Sequence, residues 1–221
     1  MQLSPAPEYP PAWGPANVHL WWCPTPSAAS APRLRRARLD SLLRRVLARY
    51  VALEPSALRF GREARGRPFL LGERVPDFNL SDTVGGSVVA VAERGRVGVD
   101  LERTDRVLPH RRLAQRYYAA RESDALARLT DSEARAAFLR LWTAKEASCK
   151  ATGTGIYGQL DRWMFAIEGE APVLWGLPTE AGAAAQWHHL RVTPVANYTA
   201  VLACQGWAPR VLGFTLDPDA S

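Results

Sequence analysis

Hydrophobic and polar positions along the chain alternate between two periods, and the switches between them predict the elements. Val18–Trp22 is a short apolar and aromatic run ending at Pro24, which reads as a first strand. Residues 27–32 are small and read as a loop. From Arg33 to Val51, Leu34, Leu39, Leu42, Leu43, Val46 and Leu47 recur at helical spacing, and Arg33, Arg35, Arg36, Arg38, Arg44 and Arg45 fill the other face. That pattern predicts a basic amphipathic helix. Leu58–Arg65, Phe78–Ser81 and Ser87–Ala92 read as short strands, with a turn at Gly66-Arg67-Pro68. Glu93-Arg94-Gly95 predicts a hairpin from Ser87–Ala92 into Arg96–Glu102. Helices follow from Pro109 to Tyr118, Arg121 to Leu129 and Asp131 to Thr152, the last stopped by Gly153 and Gly155. Strands return at Trp163–Ile167, Trp187–Thr193, Tyr198–Ala203 and Val211–Thr215.

This order predicts an α+β protein of two similar halves, each a long helix packed on an antiparallel sheet. The expected division is 1–96 and 97–221. The length of 221 residues is enough to bury a substantial core in either half. No apolar run approaches the ~18–20 residues of a membrane span. Met1–Pro15 lacks the basic start of a secretory signal. Three scattered cysteines suggest neither a disulfide framework nor a zinc site. A cytoplasmic location is the expectation.

Charge changes the picture only through its distribution. The formal net charge of +6 favours an acidic partner but does not choose among nucleic acid, phosphorylated cofactor and acidic protein. Of the 28 basic residues, 26 are arginine, a skew typical of GC-rich genomes. The two lysines, Lys145 and Lys150, both fall in Trp142-Thr-Ala-Lys-Glu-Ala-Ser-Cys-Lys150. Lysine in so arginine-rich a chain points to sites that need a compact ammonium rather than a planar fork.

Two constellations carry candidate chemistry. On a strand, Gly98, Asp100 and Glu102 share one face and Val97, Val99 and Leu101 the other. Two carboxylates on one face repel unless a cation lies between them, and Mg²⁺ prefers such hard oxygen ligands. The plain alternative is an exposed strand end where both acids meet water or arginine. On the long helix, Trp142, Glu146 and Lys150 form a stripe with Lys145 beside it. A third carboxylate flanked by ammonium groups suits a metal-bridged diphosphate; an ordinary helical ion pair has the same spacing.

Gly66-Arg67-Pro68, Phe78-Asn79-Leu80-Ser81, Val97-Gly98-Val99-Asp100-Leu101-Glu102 and Trp142-Thr-Ala-Lys145-Glu146-Ala-Ser-Cys-Lys150-Ala-Thr-Gly153 occur in one order, with Tyr117-Tyr118 and Glu122 between the last two. Together they resemble the Sfp-type 4'-phosphopantetheinyl transferases, over roughly residues 60–165. The resemblance implies two α+β halves related by a pseudo-two-fold, with coenzyme A in the cleft between them. It implies transfer of 4'-phosphopantetheine to a serine of an acyl or peptidyl carrier protein, releasing 3',5'-ADP. Asp100, Glu102 and Glu146 match the magnesium ligands. Glu146 also becomes a general base, directly or through a bound water, and Lys150 stabilises the departing oxygen. Arg67, Ser81, Lys145 and Lys150 match coenzyme A contacts, joined by Arg33, Arg36 and Ser41 in the first helix.

The segment Arg103–Arg121, with Arg103, Arg106, Arg111, Arg112, Arg116 and Arg121 beside Leu108, Leu113, Tyr117 and Tyr118, would suit the acidic recognition helix of a carrier protein. A monomer is expected, since one chain supplies both sides of the cleft. Asp82 stands where the family usually has histidine. A carboxylate there repels a phosphate unless an arginine neutralises it, and it would weaken discrimination between coenzyme A and dephospho-coenzyme A. A non-catalytic coenzyme A or carrier-protein binding relative is the alternative. A metal-dependent nuclease ranks behind it, because no nucleic-acid motif accompanies the charge.

Overall fold

The computed structural model describes every residue except 8–9, 11–13, 15, 26–30, 52 and 218–221, so the loop expected at 27–32 lies largely outside the described residues. The chain forms β1 (Leu3–Pro5), β2 (Asn17–Pro24), α1 (Pro32–Ala48), β3 (Phe60–Arg62), β4 (Pro68–Leu70), β5 (Asp77–Thr83), β6 (Gly86–Ala92) and β7 (Arg96–Arg103). It continues through α2 (His110–Tyr117), α3 (Ala120–Ala127), α4 (Asp131–Thr152), β8 (Met164–Phe165), β9 (Leu174–Gly176), β10 (Trp187–Val192), β11 (Tyr198–Gln205) and β12 (Arg210–Thr215).

The two-residue alternation of the strands sorts these elements into four layers. Trp21, Cys23, Val89 and Val91 turn toward Leu42, Leu43, Val46 and Leu47 of α1. Their neighbours Leu20, Trp22, Val88 and Ala90 point the other way, onto Val97, Val99 and Leu101 of β7 and onto Leu202 and Cys204 of β11. The far face of that second sheet packs through Val201 and Ala203 against Phe138, Leu141, Ala144 and Ala147 of α4. The result is helix, sheet, sheet, helix, with both sheets sealed on each face by apolar side chains. The α+β reading with one long helix per sheet holds.

The first sheet has the order β1-β12-β2-β6-β5 and the second β10-β11-β7. β12 lies between β1 and β2 and runs parallel to both, so the first sheet draws strands from both sides of residue 96. The remaining pairings of the two sheets are antiparallel. The hairpin predicted from Ser87–Ala92 into Arg96–Glu102 does not form. Both edges of β6 are taken, by β2 and β5, and β7 crosses to the second sheet to pair with β11. The hairpin is β5–β6, turned by Val84-Gly85 with Gly85 at φ +84.

β5 and β7 join the two sheets without a backbone ladder. Asp77, Asn79 and Ser81, alternate residues of β5, accept hydrogen bonds from the backbone N–H groups of Val97, Val99 and Leu101 at 2.7, 3.0 and 3.1 Å. The constant offset of twenty residues means that the two strands run the same way. Three side chains thus satisfy an edge that would otherwise bury unpaired donors, and Ser81 is carried beside the carboxylates of β7.

α4 is held at both ends. Thr130 and Glu133 form a capping box, and Gly153 takes the left-handed conformation at φ +71 that closes the C-terminus. Arg67 Nε and Arg96 Nε donate to the last-turn carbonyls of Lys150 and Ala151 at 2.9 and 3.0 Å, where cations also oppose the helix dipole. Gly98 permits the approach of this helix to β7. A Cβ there would fall 2.0 Å from the Ala147 carbonyl oxygen and 2.5 Å from the Ala151 nitrogen. The glycine that precedes the acids on their face therefore makes room for helix backbone.

Candidate functional site

Where the end of β7 passes beneath α1 and α4, a cleft of about 930 Å³ opens. That is at the upper end of the roughly 300–1,000 Å³ usual for small-molecule sites. β7 contributes Asp100 and Glu102, β5 contributes Ser81 and Asp82, α4 contributes Glu146 and Lys150, and α1 contributes Arg35 and Arg38.

Strand alternation puts Asp100 and Glu102 on the α4 side, and the close approach at Gly98 brings Lys150 to them. Lys150 Nζ donates to Asp100 Oδ1 at 2.6 Å and to Ser81 Oγ at 2.9 Å, and lies 3.7 Å from Glu146 Oε2. Ser81 Oγ in turn donates to Asp100 Oδ1 at 2.9 Å. Arg106 pairs with Glu102 Oε1. Asp100 and Glu102 are only 3% and 6% exposed, yet Asp100 Oδ2 and Glu102 Oε2 are buried with no hydrogen-bond partner. A buried carboxylate oxygen without a donor costs free energy on the order of 1–3 kcal/mol. Two of them, on neighbouring residues that line one cleft, fit hard-cation ligation. Among the described residues no three His, Cys, Asp or Glu side chains already form a metal cage. Lys150 and Arg106 each hold one oxygen of the pair.

The electrostatics agree. Burial and the charge of Asp100 push Glu102 and Glu146 each up to about 7. Burial works against the charged form of Lys150, but Asp100 and Glu146 outweigh it and raise its pKa. Without a divalent ion, the two glutamates are therefore part-protonated near neutrality. Ionising them costs folding stability as pH rises from the ordinary carboxylate value through about 7. A divalent cation held by these carboxylates would compete with protons for their oxygens. The upward shift in melting temperature on adding Mg²⁺ is thus expected to be larger at pH 8 than at pH 6, as scanning fluorimetry would read. An equal or larger shift at pH 6 would contradict this placement of the ion.

The other residues singled out from sequence divide into two groups. Ser81 and Lys150 line the cleft; Lys145, Arg67, Arg33, Arg36 and Ser41 do not. Lys145 is fully buried on the core side of α4, where Nζ donates to Glu122 Oε2 at 2.6 Å, to the Leu160 carbonyl at 2.8 Å and to the Trp163 carbonyl. It also lies 4.6 Å from the centre of the Tyr118 ring. Its ammonium is consumed by the fold. Arg67 is engaged by the fold, gripping Asp77 through two bonds of 2.8 and 2.9 Å and donating to the carbonyls of Phe78 and Val97, and it lines a second pocket that shares Leu80 and Lys150 with the cleft. Arg33, Arg36 and Ser41 are exposed on α1.

Arg35 and Arg38 take the place expected for Arg33 and Arg36. Arg35 Nε donates to Asp82 Oδ2 at 2.5 Å and Arg38 Nη2 lies 3.6 Å from Oδ1, while Ser87 Oγ donates to Oδ1 at 2.6 Å. The carboxylate standing in for histidine is thus neutralised by arginine. Leu34, placed in the buried stripe from sequence, is 66% exposed, because the first turns of α1 serve the cleft rather than the core. Within Arg103–Arg121, Arg103 and Arg106 line the cleft. Arg111 donates to the carbonyls that end α3, and Tyr118 is a core residue whose hydroxyl donates to the Phe138 carbonyl.

Comparison with known proteins identifies the family. Residues 96–202, which include β7 and α4, match the family model of the 4'-phosphopantetheinyl transferase superfamily. The chain is 33% identical over 175 residues to the 4'-phosphopantetheinyl transferase HetI of Nostoc sp., covering 76% of this chain and 70% of that one. It is 30% identical over 140 residues to the 4'-phosphopantetheinyl transferase Sfp of Bacillus subtilis, covering 63% of this chain and 61% of that one. The crystal structure of Thermotoga maritima holo-[acyl-carrier-protein] synthase gives a TM-score of 0.40 at 23% identity, over 51% of this chain and 63% of that one, a likeness too loose to bear on the site. By its motifs and its relatives, the chain belongs to the 4'-phosphopantetheinyl transferase superfamily.

Proposed function

We propose that the protein transfers 4'-phosphopantetheine from coenzyme A to a serine of an acyl or peptidyl carrier protein, with Mg²⁺ held by Asp100, Glu102 and Glu146. The observation that carries this is the pair of buried, unpartnered oxygens, Asp100 Oδ2 and Glu102 Oε2, on residues that line a cleft together with Glu146 and Lys150. When bound, the ion draws charge off the diphosphate and orients it.

The chain's own residues do the rest. The serine hydroxyl of the carrier attacks the phosphorus on the pantetheine side, the new O–P bond forms, and the bond to the 5'-phosphate of 3',5'-ADP breaks. Glu146 lines the cleft beside Lys150 and takes the hydroxyl proton, directly or through a bound water. Lys150, fixed between Asp100 and Ser81, supplies a localised positive charge for the departing oxygen. Arg35 and Arg38, organised by Asp82, present guanidinium groups on the opposite wall for a further phosphate. Val107 is 90% exposed beside Arg111, Arg112 and Arg135, which supports an acidic carrier docking next to the cleft. No helix among the described residues is long and apolar enough to cross a membrane.

Chromatography of the nucleotide products tests this reading. 3',5'-ADP should form from coenzyme A only when an apo carrier protein and a divalent ion are both present. Its absence with every class of carrier would favour a relative that binds without turnover.

A further inference from the structure

Five cations line the cleft, and each has a counter-ion within it: Arg35 and Arg38 face Asp82, Arg103 faces Asp105, Lys150 faces Asp100, and Arg106 faces Glu102. The counter-ions are of two kinds. Asp82 and Asp105 are acids that no cation reading requires, so Arg35, Arg38 and Arg103 keep their partners whatever binds. Asp100 and Glu102 are the acids with unpartnered oxygens, so Lys150 and Arg106 share their carboxylates with any arriving divalent ion. Lys150 is anchored a second time, on Ser81 Oγ. Arg106 has no second anchor of that kind. Its side chain is 49% exposed, and it sits in the irregular segment between β7 and α2.

We propose that Arg106 is a phosphate-binding residue of the transfer reaction, parked on Glu102 until a divalent cation takes that carboxylate and then turned onto the diphosphate of coenzyme A. This rests on the transferase reading above.

The charge balance of the site drives the exchange. Asp100, Glu102 and Glu146 carry three negative charges when ionised, and Lys150 and Arg106 supply two positive ones. Glu102 is 8% exposed at its side chain, and a carboxylate buried that far needs a paired charge. Arg106 provides it while no ion is bound. A divalent cation on Glu102 Oε2 adds two positive charges beside the guanidinium and supplies the pairing in its place. The arginine is then repelled from the site just as the ion makes the cleft attractive to a diphosphate. A planar guanidinium on a half-exposed side chain is well matched to phosphate oxygens. Arg106 therefore opposes metal binding in the free protein and favours substrate binding in the metal-loaded one.

Those two signs, opposite for one residue, are what the experiment reads. Manganese affinity without coenzyme A would be measured from the electron paramagnetic resonance signal of free Mn²⁺, and coenzyme A affinity by calorimetry with Mn²⁺ saturating. Wild type, Arg106→Ala and Arg106→Lys would be compared after circular dichroism shows the same fold. Arg106→Ala should bind Mn²⁺ roughly tenfold more tightly and coenzyme A roughly tenfold more weakly than wild type, the scale of one charge-assisted hydrogen bond. Arg106→Lys should fall between them on both measures. Mn²⁺ affinity that is unchanged or weaker in Arg106→Ala overturns the proposal, as does coenzyme A affinity that does not fall. Failure of the transferase reading looks different: both affinities shift as stated, yet wild type makes no holo carrier protein.

Discussion

Asp100→Asn should fold normally and lose about 10²–10³-fold in kcat, the scale seen when one preorganised electrostatic partner is removed from a reacting phosphate or oxyanion. The substitution keeps the shape of the side chain and an oxygen that can accept from Lys150 and Ser81, so the packing of β7 against α4 is undisturbed. It removes the charge that fixes Lys150 and the anionic oxygen that is buried without a partner. Steady-state kinetics with a carrier substrate, beside circular dichroism, would check both halves of the expectation. A loss smaller than about tenfold with the fold intact would mean that Asp100 is not part of the reacting site.

Lys145→Ala should do the opposite, lowering stability while sparing the site. Lys145 and Glu122 are 0% and 1% exposed at their side chains and pair at 2.6 Å. Glu122 also accepts from the backbone nitrogens of Phe165 and Ala119, so it cannot turn out to solvent without breaking the fold around α3 and β8. Deleting one member of a buried pair leaves the other charge uncompensated, which costs about 3–5 kcal/mol. That is a large part of the roughly 5–15 kcal/mol that holds a domain together. Urea denaturation should show a matching fall in midpoint, partly recovered in the double variant Lys145→Met, Glu122→Gln. The KM for coenzyme A of the folded fraction should stay at the wild-type value. A raised KM with little change in midpoint would return Lys145 to the list of substrate contacts.

These two variants mark what could be read from the sequence. The helix Asp131–Thr152 was legible in extent, with Gly153 marking its end; the capping box of Thr130 and Glu133 that starts it is seen in the structure. The grouping of Asp100 and Glu102 on one face of β7 followed from strand alternation alone. Lys145 was misplaced although helical spacing held the signal. It shares a face with Phe138, Leu141, Ser148 and Cys149, all buried, whereas Glu146 and Lys150 lie one step round with the half-buried Trp142. The arginines of α1 are not separated by that logic: Arg35 lies four residues ahead of Leu39, but Arg36 lies seven ahead of the buried Leu43 and is placed as far inward. Other features had no local signal. That Arg67 is bound by Asp77, that β12 inserts beside β2, and that β6 and β7 part into different sheets are long-range choices, settled by which faces need covering.

Burial of three acids around a cleft costs stability unless something positive completes them, and the transferase reading says what does. Intact-mass spectrometry of an apo carrier protein, incubated with this protein, coenzyme A and Mg²⁺, tests that most directly. The account predicts a gain of one phosphopantetheine on the carrier serine with wild type, and none with Asp100→Asn or with the metal chelated. An unmodified carrier across fatty-acid, polyketide and peptide-synthetase classes, or modification that survives both controls, would contradict it.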